Sequence, residues 1–97
     1  MWRVAIEPSA QEDVRSALTY YATFAPDVIP RFRQSLRATI RAIRNRPYLA
    51  AEIRPNRRHR ATPAFPYHIW YSLDESSATV HVVRIIHVRR DAGSLVP

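Results

Sequence analysis

Two stretches near the end of the 97-residue sequence read FPYHIWYSL over residues 65–73 and TVHVVRIIHV over residues 79–88. Both are rich in aromatic and β-branched side chains, which favour β-strands. The five residues between them, 74–78, include the Asp and Ser that are common in turns. We therefore predict a β-hairpin, and the rest of the fold has to supply a layer that packs against it.

The predicted hairpin has two faces, of which one has to cover the core. If residues 73 and 79 pair, Tyr67 and Ile69 share a face with Val83 and Ile85. We assign this face to the core. The open face then carries His68, Trp70, Val80, Val82, Arg84 and Ile86.

Upstream of the hairpin, the pattern predicts a strand followed by a helix. Trp2, Val4 and Ile6 alternate with other residues, as in a half-buried strand. Ser9 and Glu12 have the spacing of a capping box, in which each side chain closes a free backbone N–H of the other residue. We therefore expect a first helix over residues 10–22.

A second helix is predicted next, with Asp27 as its capping candidate. It should end near Asn45, because Pro47 disfavours helical geometry at the residue before it. Its apolar residues recur at helical spacing: Ile29, Phe32, Leu36, Ile40 and Ile43. An adjacent stripe is basic: Arg33, Arg37, Arg41 and Arg44. Beyond this helix we expect a short edge strand near residues 57–62.

These elements predict an α+β fold in the order β-α-α-β-β-β. A two-helix hairpin would pack on one face of a small, mostly antiparallel sheet. A chain of this length buries only about 60–65% of its unfolded surface, which is enough for one core. We therefore interpret residues 1–97 as a single domain.

The composition excludes several kinds of site. The chain has no Cys, so disulfides, thiolate nucleophiles and Cys-based zinc sites are excluded. Its only Gly is Gly93, so it has no phosphate-binding glycine loop. His81 and His87 would lie about 20 Å apart on one strand, too far to share a metal ion. We expect no metal, no cofactor, no membrane association and a cytoplasmic location.

The charge is strongly basic and unevenly distributed. The chain carries 15 Arg, no Lys and a formal charge of +7. Ten of these arginines and one acid, Glu52, lie between residues 28 and 60. Such a charge indicates a nucleic acid or an acidic protein as the partner.

A second basic group can form around the last strands. Arg58 and Arg60 share a face if their stretch is a strand, and Arg89 and Arg90 follow the last strand. His68 and His87 could border this group. Cations with one or two imidazoles would suit phosphodiester transfer, since Arg stabilises a developing phosphate charge and His moves protons near neutral pH. The alternative is a structural His87 with arginines that meet an acidic partner.

The quoted pieces together resemble the RelE/ParE toxin superfamily. They are Arg-Arg-His-Arg at residues 57–60, Pro-Tyr-x-Ile-x-Tyr at residues 66–71 and Ile-Ile-His-x-x-Arg-Asp at residues 85–91. The last piece is similar to the ParE branch. The resemblance covers nearly the whole chain, in the predicted order of elements.

This resemblance implies a type II toxin, a class associated with plasmid stabilisation, that forms a hetero-oligomer with an acidic antitoxin. A ParE-like member would poison DNA gyrase without catalysis, and Arg58, Arg60, Arg89 and Arg90 would contact the target. The antitoxin would contact Arg33, Arg37, Arg41, Arg44 and Trp70. The alternative is a RelE-like endoribonuclease that cleaves mRNA on the ribosome, with His68, His87 and Arg60 as catalytic residues.

Overall fold

The computed structural model describes residues 1–91, with the backbone alone for residues 90 and 91. Within this range, two long helices pack on one face of a five-stranded sheet. The predicted α+β class and order of elements are confirmed. The elements are β1 (Arg3–Ile6), α1 (Pro8–Phe24), a 3₁₀ turn (Pro26–Val28), α2 (Ile29–Asn45), β2 (Glu52–Arg54), β3 (Arg57–Ala61), β4 (Tyr67–Asp74), β5 (Thr79–His87) and α3 (Val88–Asp91).

The strands lie in the order β1-β5-β4-β3-β2. β1 pairs parallel to β5, and the other neighbours are antiparallel. The prediction that β3 is an edge strand is wrong, because β2 lies outside it. Only three residues long, β2 pairs across a register shift, so it leaves no recognisable alternation in the sequence.

The predicted helix caps are also wrong. Neither Ser9 nor Asp27 caps a helix with its side chain. The Ser9 hydroxyl instead donates a hydrogen bond to the carbonyl of Val83, at 2.7 Å. The predicted end of the second helix is confirmed at Asn45.

The core lies between the two helices and the sheet. Phe32 and Ile43 of α2 are fully buried, and Ala10 and Ala17 bring α1 close to the sheet. The sheet contributes Tyr67, Ile69, Tyr71, Leu73, Val80, Val82 and Ile85. The assignment of Ile69 and Ile85 to the core is therefore confirmed.

A β-bulge corrects the predicted register of the hairpin. Tyr71 pairs with Val82 and Trp70 pairs with Arg84, so Val83 is an extra residue on β5. Since one extra residue reverses the alternation of faces, Val80, Val82 and Ile85 can all point toward the helices. The prediction that Val83 lies in the core and Val80 and Val82 on the open face is wrong for this reason.

Trp70 lies on the sheet face opposite the helices, as predicted, but it is not exposed. Its side chain is only 2% accessible, and its ring centre lies 4.5 Å from that of His59 on β3. In this structure Trp70 therefore presents no surface to the antitoxin that we expected it to contact.

Candidate functional site

A groove of about 390 Å³ lies between α1 and the second half of β5. β1 pairs with β5 only as far as Val82 and then turns into α1. From that point α1, not a strand, runs along this edge of β5. The groove is lined by side chains of both elements, including Tyr20, Tyr21, Ile86, His87 and Arg89.

Asp13 is one of the residues that line this groove. Its carboxylate accepts hydrogen bonds from Arg84 Nε at 2.8 Å and Arg84 Nη2 at 3.0 Å. It also accepts the backbone N–H of Ile85, at 2.8 Å. The hydrogen bond from Arg84 to Asp13 raises the pKa of the arginine, although partial burial opposes the shift. Arg84 is therefore held in a structural ion pair, and Asp13 takes the place of the missing neighbouring strand.

Nothing local in the sequence indicates this role of Asp13. The Glu12–Asp13 pair has the pattern of acidic residues in a helical first turn, which the helix dipole favours. Asp13 and Ile85 are 72 residues apart in the sequence, so the contact is seen only when the fold brings them together.

His87 lies at the end of β5, on the helix side of the sheet. Its Nδ1 accepts a hydrogen bond from the backbone N–H of Arg89, at 3.1 Å, and its ring meets that of Tyr67 edge-on, with centres 5.3 Å apart. Because an accepting nitrogen carries no hydrogen, the neutral ring carries its hydrogen on Nε2. The Nδ1 atom is therefore occupied by a hydrogen bond that links the end of β5 to α3, which gives His87 a structural contact.

His68 lies on the opposite face of the sheet from His87. It alternates with the core residues Tyr67 and Ile69 on β4 and stacks on His59, with ring centres 4.3 Å apart. The two histidines of the predicted catalytic group are thus separated by the sheet itself. They cannot act together on one phosphate in this arrangement.

Arg58 makes structural contacts within the fold. Its guanidinium donates a hydrogen bond to the carbonyl of Ala50, lies 5.2 Å from the ring centre of Tyr48 and is 3.9 Å from Glu52. Tyr71 also contacts the segment between α2 and β2, because its hydroxyl donates a hydrogen bond to the carbonyl of Pro47 at 2.8 Å. Burial raises the pKa of Tyr71. Together these contacts hold the segment that joins α2 to β2.

The four arginines predicted to gather do not form one cluster. Arg58 and Arg60 do share a face, since they pair with Tyr71 and Ile69. Arg58 is only 13% exposed, however. It pairs with Tyr71, which lies four residues along β4 from Tyr67, the partner of His87. Arg58 is therefore displaced by about 13 Å along the strands from the end of β5, where His87 and Arg89 lie. The side chain of Arg90 lies outside the described residues.

The sequence matches the family model described as "ParE toxin of type II toxin-antitoxin system, parDE" over residues 4–92. The chain belongs to the ParE toxin family. The type II toxin predicted from the sequence is therefore confirmed at the level of the family.

A solved structure agrees with this assignment in its fold. The ParE-family chain described here superposes on one described as "Chromosomal ParDE TA system from P. aeruginosa" with a TM-score of 0.76. The match covers 90% of this chain and 96% of that one, at 13% sequence identity. No curated protein sequence matches.

Large apolar side chains are exposed in two regions of this ParE-family toxin, the end of α1 and the segment around β2. Tyr20 and Phe24 lie at the end of α1 beside the groove, 58% and 70% exposed, with ring centres 4.9 Å apart. Leu49 and Ile53 form a second exposed group with Tyr48, next to the short edge strand β2. Large exposed side chains grouped in this way mark surfaces that contact other proteins.

Among the described side chains, those of residues 1–89, no group of three His, Asp or Glu residues is arranged to hold a metal ion. None of the helices in that range has the length and apolarity that crossing a membrane requires.

Proposed function

We propose that this ParE-family toxin inhibits DNA gyrase by binding and is not a nuclease. The observation that supports this proposal is the position of His68 and His87 on opposite faces of the sheet. A nuclease needs an acid and a base that reach the same phosphodiester. Inhibition by contact needs only a complementary surface, for which Arg60, Arg89 and Arg90 are our candidates. The site of action is the cytoplasm, where gyrase works.

The test measures both activities with the purified full-length chain. We expect it to lower DNA supercoiling by gyrase or to accumulate cleaved DNA, and to leave ribosome-bound mRNA intact. Charge reversal at Arg60 and Arg89 should weaken the effect on gyrase, whereas reversal at Arg15, an exposed arginine on α1, is the matched control. Cleavage of mRNA by the wild type, abolished in folded His87→Ala protein, would establish the ribonuclease instead.

We further propose that an acidic antitoxin binds in the groove between α1 and β5. Its apolar side chains would cover Tyr20 and Phe24, and its carboxylates would meet Arg89 at the open end. Opposite charge accelerates such an association, and burial of the aromatic rings stabilises it. The net charge of +7 on the toxin favours an acidic partner.

This site can be tested by comparing the two apolar patches. Phe24→Asp should weaken antitoxin binding at least tenfold, because it puts a charge at the centre of the proposed contact. Ile53→Asp is the matched control, since Ile53 is also an exposed apolar residue, 53% exposed against 70% for Phe24, but lies at the opposite edge of the sheet. If only Ile53→Asp weakens binding, the antitoxin occupies the β2 side.

A further inference from the structure

The outer side of α2 carries a row of four exposed arginines: Arg33, Arg37, Arg41 and Arg44. With about 100° of rotation per residue, the four side chains fall within a sector of about 80°. With a rise of about 1.5 Å per residue, they span about 16 Å along the helix. The four guanidinium groups therefore lie on one side of the helix, about one turn apart.

The surroundings of this row are polar and carry no opposing charge on the helix. α2 contains no Asp or Glu. Its other exposed residues are Pro30, Arg31, Gln34, Ala38 and Asn45, none of which offers a large apolar side chain. The positive charge is thus not neutralised within the element that bears it.

This composition does not suit the antitoxin contact that we expected for these arginines. The centre of a protein–protein interface is apolar and carries few charges. Among residues 1–89, the large exposed apolar side chains lie elsewhere, at Met1, on α1 and beside β2. Interfaces with DNA, in contrast, are polar and strongly positive, and Arg is well suited to the phosphate group.

We propose that the arginine row of α2 binds the phosphate backbone of duplex DNA without reading its sequence. A row about 16 Å long covers about five base pairs of the duplex, whose phosphates form a regular and rigid array. This activity goes beyond the inhibition of gyrase proposed above and does not depend on it. It would hold the toxin on DNA, independently of any contact with a protein target.

The experiment measures binding of the purified full-length toxin to a fluorescent 20-base-pair DNA by anisotropy, as a function of salt. Four phosphate contacts predict a slope of log K against log salt of about −3.6, and hence a loss of about 150-fold between 50 and 200 mM salt. The double variant Arg37→Ala, Arg41→Ala should halve the slope, which leaves a loss of about 12-fold.

A matched variant separates this row from the effect of net charge. Arg3→Ala, Arg15→Ala also removes two exposed positive charges, from β1 and α1, and should leave the slope unchanged. Circular dichroism checks that all three proteins are folded. Equal slopes for the two double variants, or no measurable binding by the wild type, would overturn the proposal. So would a loss of antitoxin binding in the α2 variant with DNA binding unchanged. Gyrase inhibition is measured in a separate assay, so a negative result for DNA binding does not refute gyrase inhibition, and the reverse also holds.

Discussion

Replacing Asp13 by Ala should destabilise the protein far more than replacing Glu12, the adjacent acid on α1. The variant loses the ion pair with Arg84 and leaves the backbone N–H of the buried Ile85 without its acceptor. The ion pair contributes about 1 kcal/mol, because Arg84 is 41% exposed and water screens the charges. The unpaired N–H costs about 1–3 kcal/mol.

The expected loss in the free energy of unfolding is therefore about 2–4 kcal/mol. For a domain of this size, about 3 kcal/mol corresponds to a fall in Tm of roughly 12–24 °C. Thermal unfolding followed by circular dichroism measures it. Asp13→Asn keeps an oxygen to accept the N–H of Ile85 and should lose only about 1 kcal/mol.

Glu12 provides the matched control for Asp13. It is the adjacent acid, and its carboxylate accepts hydrogen bonds from Arg15, one helical turn away on the surface, with both side chains 63% exposed. Glu12→Ala should change the free energy of unfolding by less than about 0.5 kcal/mol. If Asp13→Ala melts at the same temperature as Glu12→Ala, Asp13 does not support the edge of β5 and our account of this contact is incorrect.

Three further predictions test the core, the mechanism and one titration. Ile85→Ala should cost about 2–5 kcal/mol, since Ile85 is 3% exposed beneath the helices; a denaturant midpoint equal to that of the wild type would contradict the register across the bulge. A folded double variant His68→Ala, His87→Ala should keep most of its toxicity in an induction assay, because contact inhibition transfers no proton; complete loss would favour the nuclease. The pKa of Tyr48 is raised mainly by its hydrogen bond to Glu75, so the stabilisation it brings is present below the ordinary pKa of 10 and disappears as the pH rises through the raised value. An ultraviolet titration of Glu75→Gln should bring this pKa down toward 10, whereas an unchanged value would contradict the assignment.

Local patterns in the sequence were sufficient to predict the two long helices, β1, β3 and the β4–β5 hairpin in their order, but not the three-residue strand β2. The hairpin followed from two stretches rich in β-branched and aromatic residues, and the end of α2 followed from the restriction that Pro47 places on the residue before it. The α2 stripe of Phe32, Leu36 and Ile43 is buried as its spacing predicts. These features depend on backbone preferences and on periodicity within a single element, which a sequence displays directly.

The tertiary structure alone decided how the elements meet. The bulge at Val83 exchanges the faces of β5, and no local pattern distinguishes an uninterrupted alternation from one with an extra residue. The bond from Asp13 to Ile85 joins residues 72 positions apart in the chain, and the side of the sheet on which His68 and His87 lie depends on the register of the strands. The contacts that bury Arg58 are nearer in the chain, since its acceptor Ala50 is eight residues away, but they form only when the segment between α2 and β2 packs on β3. These hydrogen bonds and ion pairs stabilise the fold because they pair polar groups that folding removes from water. The sequence supplies the polar groups, but only the packed fold determines which of them become partners.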